Sequence, residues 1–313
     1  KSLLFGEYLR DDKSDIDNKK EVNIMSDIRK IPNNPSLTGL ARFYKDVKFA
    51  SPEGVDLYMQ IMAPWFTEND ERSYPLIIFI QGSGWTFPDV NYEIPQLSRY
   101  AQAGYVVATV THRNCMDGHP WPAFLQDVKT AIRFLRANSE EYHINQDKVC
   151  AFGTSSGGNT SLLLGLTGDD TTLDTEDYSE YSSKIQLVVE CFGPTDLVTM
   201  AKESYKPGVD EIDNLIFQLA GVPLGESNEV MNVMKAMSPM YRVEAAKDYP
   251  PFLIVHGDAD EVVPYSQGTV MYDKFLELGY DASMVCIPGA PHEGSFWSQE
   301  LHEAILAFIK EKL

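Results

Sequence analysis

Cys150-Ala151-Phe152-Gly153-Thr154-Ser155-Ser156-Gly157-Gly158-Asn159-Thr160-Ser161-Leu162-Leu163-Leu164-Gly165 is the stretch whose reading decides this chain. At its centre, Gly153-Thr154-Ser155-Ser156-Gly157 has the form G-x-S-x-G, a pattern that ordinary Gly and Ser usage would place in a chain this long roughly 0.1 times by accident. The flanks say more than the pattern. Residues 148–152 read as a short buried strand, and residues 159–166 as the start of a helix. A serine on a tight strand-to-helix turn is pushed into a strained, exposed position, and flanking glycines keep side chains from clashing there. The plainer reading is a Gly/Ser-rich loop in which Thr154 or Ser155 only caps a helix. The strand before and the helix after favour Ser155 as a nucleophile.

Working outward, apolar strands alternate with helices. Residues 44–49 and 55–62 look like two antiparallel strands joined by the turn Ser51-Pro52-Glu53-Gly54. Residues 76–80 form a continuous apolar strand, followed by a helix over 94–104, a strand over 105–110 and an amphipathic helix over 123–138. After the Ser155 strand and its helix come strands at 186–192, 252–256 and 283–287, and a closing helix at 300–312. This alternation predicts an α/β fold, a mostly parallel twisted sheet with helices on both faces. One segment breaks the rhythm. Residues 196–249 are too long for a simple crossover and carry helical patterns at 211–220 and 229–236. The expectation is a small cap built from the crossover after the sixth strand, lying over the carboxyl ends of the strands where ligands bind. Residues 1–40, polar and interrupted by Asn33-Asn34-Pro35, read as an N-terminal extension before a single domain over 41–313.

Composition narrows the partners. The 313 residues are 43% apolar, which is globular, and carry 46 acidic against 26 basic side chains for a net charge of −20. So negative a surface repels phosphate backbones and anionic lipid, which argues against nucleic-acid and membrane partners. Cys115, Cys150, Cys191 and Cys286 stand singly in or beside apolar runs, without C-x-x-C spacing or a disulfide framework. They read as buried thiols in a reducing compartment. No signal-like apolar stretch follows Lys1, so the expected location is cytoplasmic, although a leader cleaved ahead of Lys1 would leave the same sequence. The acidic stretch 169–183 lacks the spacing and central Gly of a calcium loop and reads as solvated.

A serine hydroxyl needs a base, and the base needs an orienting group. His292 lies in Pro288-Gly289-Ala290-Pro291-His292-Glu293-Gly294, a loop directly after the last predicted strand, which returns an imidazole toward Ser155. His256 ends a strand and reads as locally hydrogen-bonded, His112 and His119 as cleft-lining candidates, and His143 and His302 as surface residues. For the acid, Asp196, Asp258 and Asp260 all sit at strand ends, and all satisfy the order Ser…Asp…His of an α/β hydrolase. Spacing leaves that choice open.

The chain resembles α/β-hydrolase esterases of the bacterial feruloyl/acetyl-xylan esterase and hormone-sensitive-lipase-like kind, from about Tyr44 to the C-terminus. The resemblance rests on Gln81-Gly82-Ser83-Gly84-Trp85, where relatives carry H-G-G-G-W, and on Pro122-Ala123-Phe124-Leu125-Gln126-Asp127-Val128. It rests equally on Gly153-Thr154-Ser155-Ser156-Gly157-Gly158, Gly193-Pro194-Thr195-Asp196, His256-Gly257-Asp258-Ala259-Asp260-Glu261-Val262-Val263-Pro264 and Gly289-Ala290-Pro291-His292. It implies Asp260 as the triad acid beside Ser155 and His292. It also implies an oxyanion hole from the backbone N–H groups of Ser83, Gly84 and Ser156, with no metal or organic cofactor. Gln81 and Ser83 depart from the pattern. Because the donors are backbone groups the hole survives the change, while the Ser83 side chain is expected to add a donor or narrow the acyl pocket.

Trp85, Phe87, Trp121 and Trp297 lie in loops expected to border the cleft, either packing under the cap or contacting an aromatic acyl group or sugar ring. The implied activity is a serine carboxylesterase for small neutral esters, with short acyl groups such as acetyl or feruloyl on small molecules or plant-polysaccharide fragments. A prolyl-oligopeptidase-type serine peptidase shares two of the motifs but carries a large extra domain for which this length has no room. A non-catalytic binding protein on the same scaffold would be expected to have lost Ser155, Asp260 or His292, and all three are present.

Overall fold

The structure is a computed structural model describing residues 28–67, 69–168, 170–204, 215–216, 218–221 and 227–313. Contacts divide the chain into residues 1–35 and residues 36–313. In the first unit the described residues 28–34 form neither helix nor strand, and the rest of the expected N-terminal extension up to residue 27 lies outside the described residues.

The second unit is built on one eight-stranded sheet. Its strands are β1 (Ala41–Ala50), β2 (Leu57–Pro64), β3 (Tyr74–Ile80), β4 (Val106–Val110), β5 (Ile144–Thr154), β6 (Leu187–Cys191), β7 (Phe252–Gly257) and β8 (Ala282–Ile287). Their order is β1-β2-β4-β3-β5-β6-β7-β8. β1 and β2 pair antiparallel and β2 meets β4 antiparallel, while every pair from β4 to β8 is parallel. The two N-terminal strands are those predicted around the 51–54 turn. The inner parallel strands β3, β4, β6 and β7, and β5 from Val149 on, are largely apolar because both of their faces are covered. Ile78, Ala151, Val188 and Ile254 point into one core, and Ile77, Phe79, Cys150, Val189 and Val255 into the other, following the two-residue period of a strand.

The helices are α1 (Ile94–Gln102), α2 (Ala123–Ala137), α3 (Ser139–Tyr142), α4 (Ser156–Leu166), α5 (Leu197–Ser204), α6 (Ser227–Met237), α7 (Ser266–Glu277) and α8 (Gln299–Lys312). Side chains of α2, α4 and α7 fill the first core and those of α1 and α8 the second. The fold is the α/β-hydrolase fold. The crossover between β6 and β7 carries α5, helical residues at 215–216 and 218–220, and α6. Of the predicted 211–220 helix, positions 211–214 and 217 lie outside the described residues.

Three expectations fail here. β5 is longer than the predicted strand, and α4 starts at Ser156 instead of Asn159, because the glycines at 157 and 158 are helical. Cys286 is exposed on β8, which is the outer strand, while Cys115, Cys150 and Cys191 are buried as expected. His302 is buried and not a surface residue. Its Nδ1 lies 3.1 Å from Tyr100 Oη, its ring stacks on Trp297, and burial lowers its pKa to about 4. His143 is half-buried, with Nδ1 2.8 Å from Arg72 O and its ring on Phe66.

Candidate active site

Ser155 stands between the last residue of β5 and the first of α4, with φ 52° and ψ −123°. That is a left-handed backbone that an L side chain adopts at a cost of about 1–3 kcal/mol, and it persists because the surroundings over-determine it. Ser155 N donates to Cys191 O at 2.9 Å, and its carbonyl accepts Asn159 N at 3.0 Å. The glycines around it answer to space. A Cβ on Gly157 would lie 1.9 Å from Ile80 O, and one on Gly153 2.1 Å from Gly157 O, so α4 starts hard against the end of β3.

The loops after β7 and β8 bring the other two side chains in. Gly257 lies so close to Ala290 that a Cβ there would stand 2.3 Å from Ala290 O, and Ala259 N donates to that carbonyl. Gly289, at φ 71°, donates its N–H to Asp258 Oδ1. Joined in this way, the loops place His292 Nε2 3.0 Å from Ser155 Oγ and His292 Nδ1 2.7 Å from Asp260 Oδ2. Phe192 supports the imidazole edge-on at 4.7 Å. Asp260 Oδ1 accepts Val262 N at 2.8 Å and Val263 N at 2.9 Å. Burial opposes charge on this carboxylate, but hydrogen bonds from His256, His292, Val263 and Val262 outweigh it and hold its pKa below the usual carboxylate range. A carboxylate at Nδ1 fixes the tautomer, with the proton on Nδ1 and a lone pair on Nε2 facing the serine.

The rival carboxylates are occupied elsewhere. Asp196 caps α5, its Oδ1 accepting Val198 N and Thr199 N, and Asp258 holds Gly289. His112 is buried against Arg113 O, and His119 bonds Glu53, so neither lines the cleft as expected.

On the far side of Ser155 lies the loop Gln81-Gly82-Ser83-Gly84-Trp85. Ser83 N donates to Ser156 Oγ at 2.9 Å and Gly82 N to Thr154 Oγ1 at 2.9 Å, which staples the loop to the serine turn. Ser83 Oγ donates to Thr86 O, so its side chain turns into its own loop and neither adds a donor nor narrows the cavity. Ser156 is the first residue of α4, so its N–H is one of the four amides a helix start leaves without an intrahelical partner. Gly84 lines the same cavity at φ 60°.

That cavity has a volume of about 280 Å³. It runs from Ser155 and Ser156 under the β6–β7 crossover, with Leu197, Met200, Leu219, Val233, Met234 and Met237 among its walls. Asn159 secures the roof by donating to Pro194 O and to Met237 O, a role that the sequence signalled only as the start of a helix. Of the four aromatic candidates, Trp85 lines the cavity. Phe87 is exposed, Trp121 packs on Phe124, and Trp297 stacks on His302 and donates to Glu293.

The BD-FAE family model matches residues 59–275. Esterase LipC of Mycobacterium tuberculosis is 28% identical over 226 residues, 70% of this chain and 52% of its own length. Two solved structures align closely. A truncated form of a carbohydrate esterase from gut microbiota is 30% identical, with a TM-score of 0.70, covering 87% of this chain and 96% of that one. A bifunctional GH43-CE of Bacteroides eggerthii is 26% identical, with a TM-score of 0.73, covering 86% of this chain and 38% of that one. The chain spans about half the length of the curated mycobacterial esterases it matches.

Proposed function

The chain belongs to the BD-FAE family, and from that premise we propose that it is a serine carboxylesterase acting on neutral esters through an acyl-enzyme. The observation that carries the reading is the unbroken line from Ser155 Oγ to His292 Nε2 at 3.0 Å and from His292 Nδ1 to Asp260 Oδ2 at 2.7 Å. Ser155 Oγ attacks the ester carbonyl while Nε2 takes its proton, and Asp260 stabilises the imidazolium. The developing oxyanion is met by the Gly84 and Ser156 N–H groups at the positive end of α4. The Ser83 N–H, bonded at rest to Ser156 Oγ, braces that end of the hole. The proton then passes to the leaving alcohol, and water repeats the cycle on the acyl group.

The β6–β7 crossover acts as a cap over a cavity at the small end of ligand sites, so the acyl group is short. Its walls are apolar apart from the two serines, which suits an uncharged acyl group. Resemblance to a carbohydrate esterase points to a sugar or small alcohol on the other side of the ester. Ser155→Ala should lower p-nitrophenyl acetate turnover on the order of 10⁴-fold or more, and near-normal turnover in the purified variant would sink the nucleophile assignment. In a p-nitrophenyl ester series, acetate to butyrate should exceed octanoate in kcat/KM. An optimum at eight carbons or beyond would mean that the cap opens as a lipase lid does.

A further inference from the structure

Behind the Ser155–His292–Asp260 line lies a second buried pair that the scheme above leaves unused. His256 is the next-to-last residue of β7 and is fully buried. Its Nε2 lies 2.9 Å from Val263 O and 3.4 Å from Asp260 Oδ2. Both neighbours are acceptors, so Nε2 carries a proton and shares it between them. The ring therefore holds the Asp260 loop at two points, the carboxylate and the Val263 carbonyl.

Glu190 lies on β6, also fully buried. Pairing of Glu190 with Ile254 puts it on the sheet face that His256 shares two residues further along β7. Glu190 Oε2 accepts Gly193 N at 2.8 Å, while Glu190 Oε1 and His256 Nδ1 have no hydrogen-bond partner among the described residues. The other groups around the pair are Tyr265, edge-on to His256 at 5.8 Å, the buried Cys191 thiol, and Gly268, where a Cβ would stand 2.9 Å from Nδ1. Burial works against a charged His256, but Asp260, Glu190 and the Val263 carbonyl outweigh it and raise its pKa; burial pushes Glu190 up to about 7.

We propose that His256 is a further positioning residue for this reaction, gripping from behind the carboxylate that orients His292, with Glu190 as the buried carboxyl group on the same face of the sheet. The geometry gives the reason. Asp260 Oδ2 serves two imidazoles at once, and a carboxylate free to swivel would lose control of the His292 tautomer. When Glu190 is ionised it favours a second proton on His256, and the resulting cation draws on the Asp260 charge that otherwise supports His292. When the pair is neutral, that charge is left to His292 alone.

The proposal rests on the triad reading, and the experiment separates the two. His256→Leu removes the ring's donor, and His256→Gln can set an amide N–H near the place of Nε2. With a p-nitrophenyl butyrate assay, His256→Leu should lose about tenfold in kcat with KM changed less than about twofold, and His256→Gln should return kcat to within about threefold of the parent. Glu190→Gln should move the acid limb of the kcat/KM profile to higher pH, and should move it no further once His256→Gln is present. Full kcat in His256→Leu, equal losses in both His256 variants, or a Glu190→Gln shift unchanged by His256→Gln would overturn the proposal. Should His256→Leu fail to fold, the two pH profiles decide it. An active Ser155→Ala would instead remove the triad reading beneath it.

Discussion

Asp260 carries its load through three hydrogen bonds, two from the backbone amides of its own loop and one with His292, and a 3.4 Å contact with His256. A neutral amide in its place could still accept from Val262 N, yet it would present His292 with no charge and an ambiguous donor. Asp260→Asn should therefore lower kcat on the order of 10⁴-fold, because the wrong tautomer leaves Nε2 unable to take a proton. Asp258→Asn and Asp196→Asn should stay within a few-fold of the parent, since each keeps an oxygen for the amides it now caps. Comparing kcat of the three purified variants checks this, and an inactive Asp196 variant would place the acid on the preceding strand. The same carboxylate also has a stability sign. Its pKa is depressed on folding, so its contribution is present above the unfolded value and is lost as pH falls through the folded one.

At the scale of elements, the site depends on how tightly α4 is seated. Gly157 meets Ile80 O with no room for a methyl group. Gly157→Ala should cost about 3 kcal/mol or more, since neither strand nor helix backbone can yield, and should remove most activity by displacing Ser155. A thermal midpoint near that of the parent, with activity kept, would contradict this account of the turn. Much of this was legible beforehand. The strand–turn–helix around Ser155 and the His292 loop followed from apolar runs and Gly/Pro placement, and the choice among three aspartates followed only from resemblance. What escaped is instructive. Helix α7 is not legible in the sequence, its exposed face interrupting any clean apolar run between β7 and β8. The burial of His302 and the exposure of Cys286 are not legible, because burial depends on which helix or edge covers a strand, and periodicity does not specify that. By its place in the loop Ser83 is expected at the pocket, whereas its hydroxyl satisfies a local carbonyl, as short polar side chains in loops do.

The whole molecule carries a charge of −20, so a carboxylate that is also buried stands in an unfavourable field. Glu93 is the clearest case. Burial, with Glu293 nearby, pushes its pKa up to about 7. A carboxyl raised on folding contributes stability that is present below its unfolded value and is lost as pH rises through the folded one. Glu93→Gln should thus match the parent at pH 5 and exceed it by roughly 1–3 kcal/mol at pH 8, measured by denaturant unfolding at both values. No gain at pH 8 would mean that the ionised side chain reaches water.

The central claim is that Ser155 is the one activated nucleophile, and covalent trapping addresses it most directly. An uncharged p-nitrophenyl alkylphosphonate, incubated with the intact chain, should release one equivalent of p-nitrophenol and add one phosphonyl group by mass. Peptide mapping should place that group on Ser155, and esterase activity should fall in proportion to labelling. A label on another residue, or full turnover in completely labelled protein, would contradict the account.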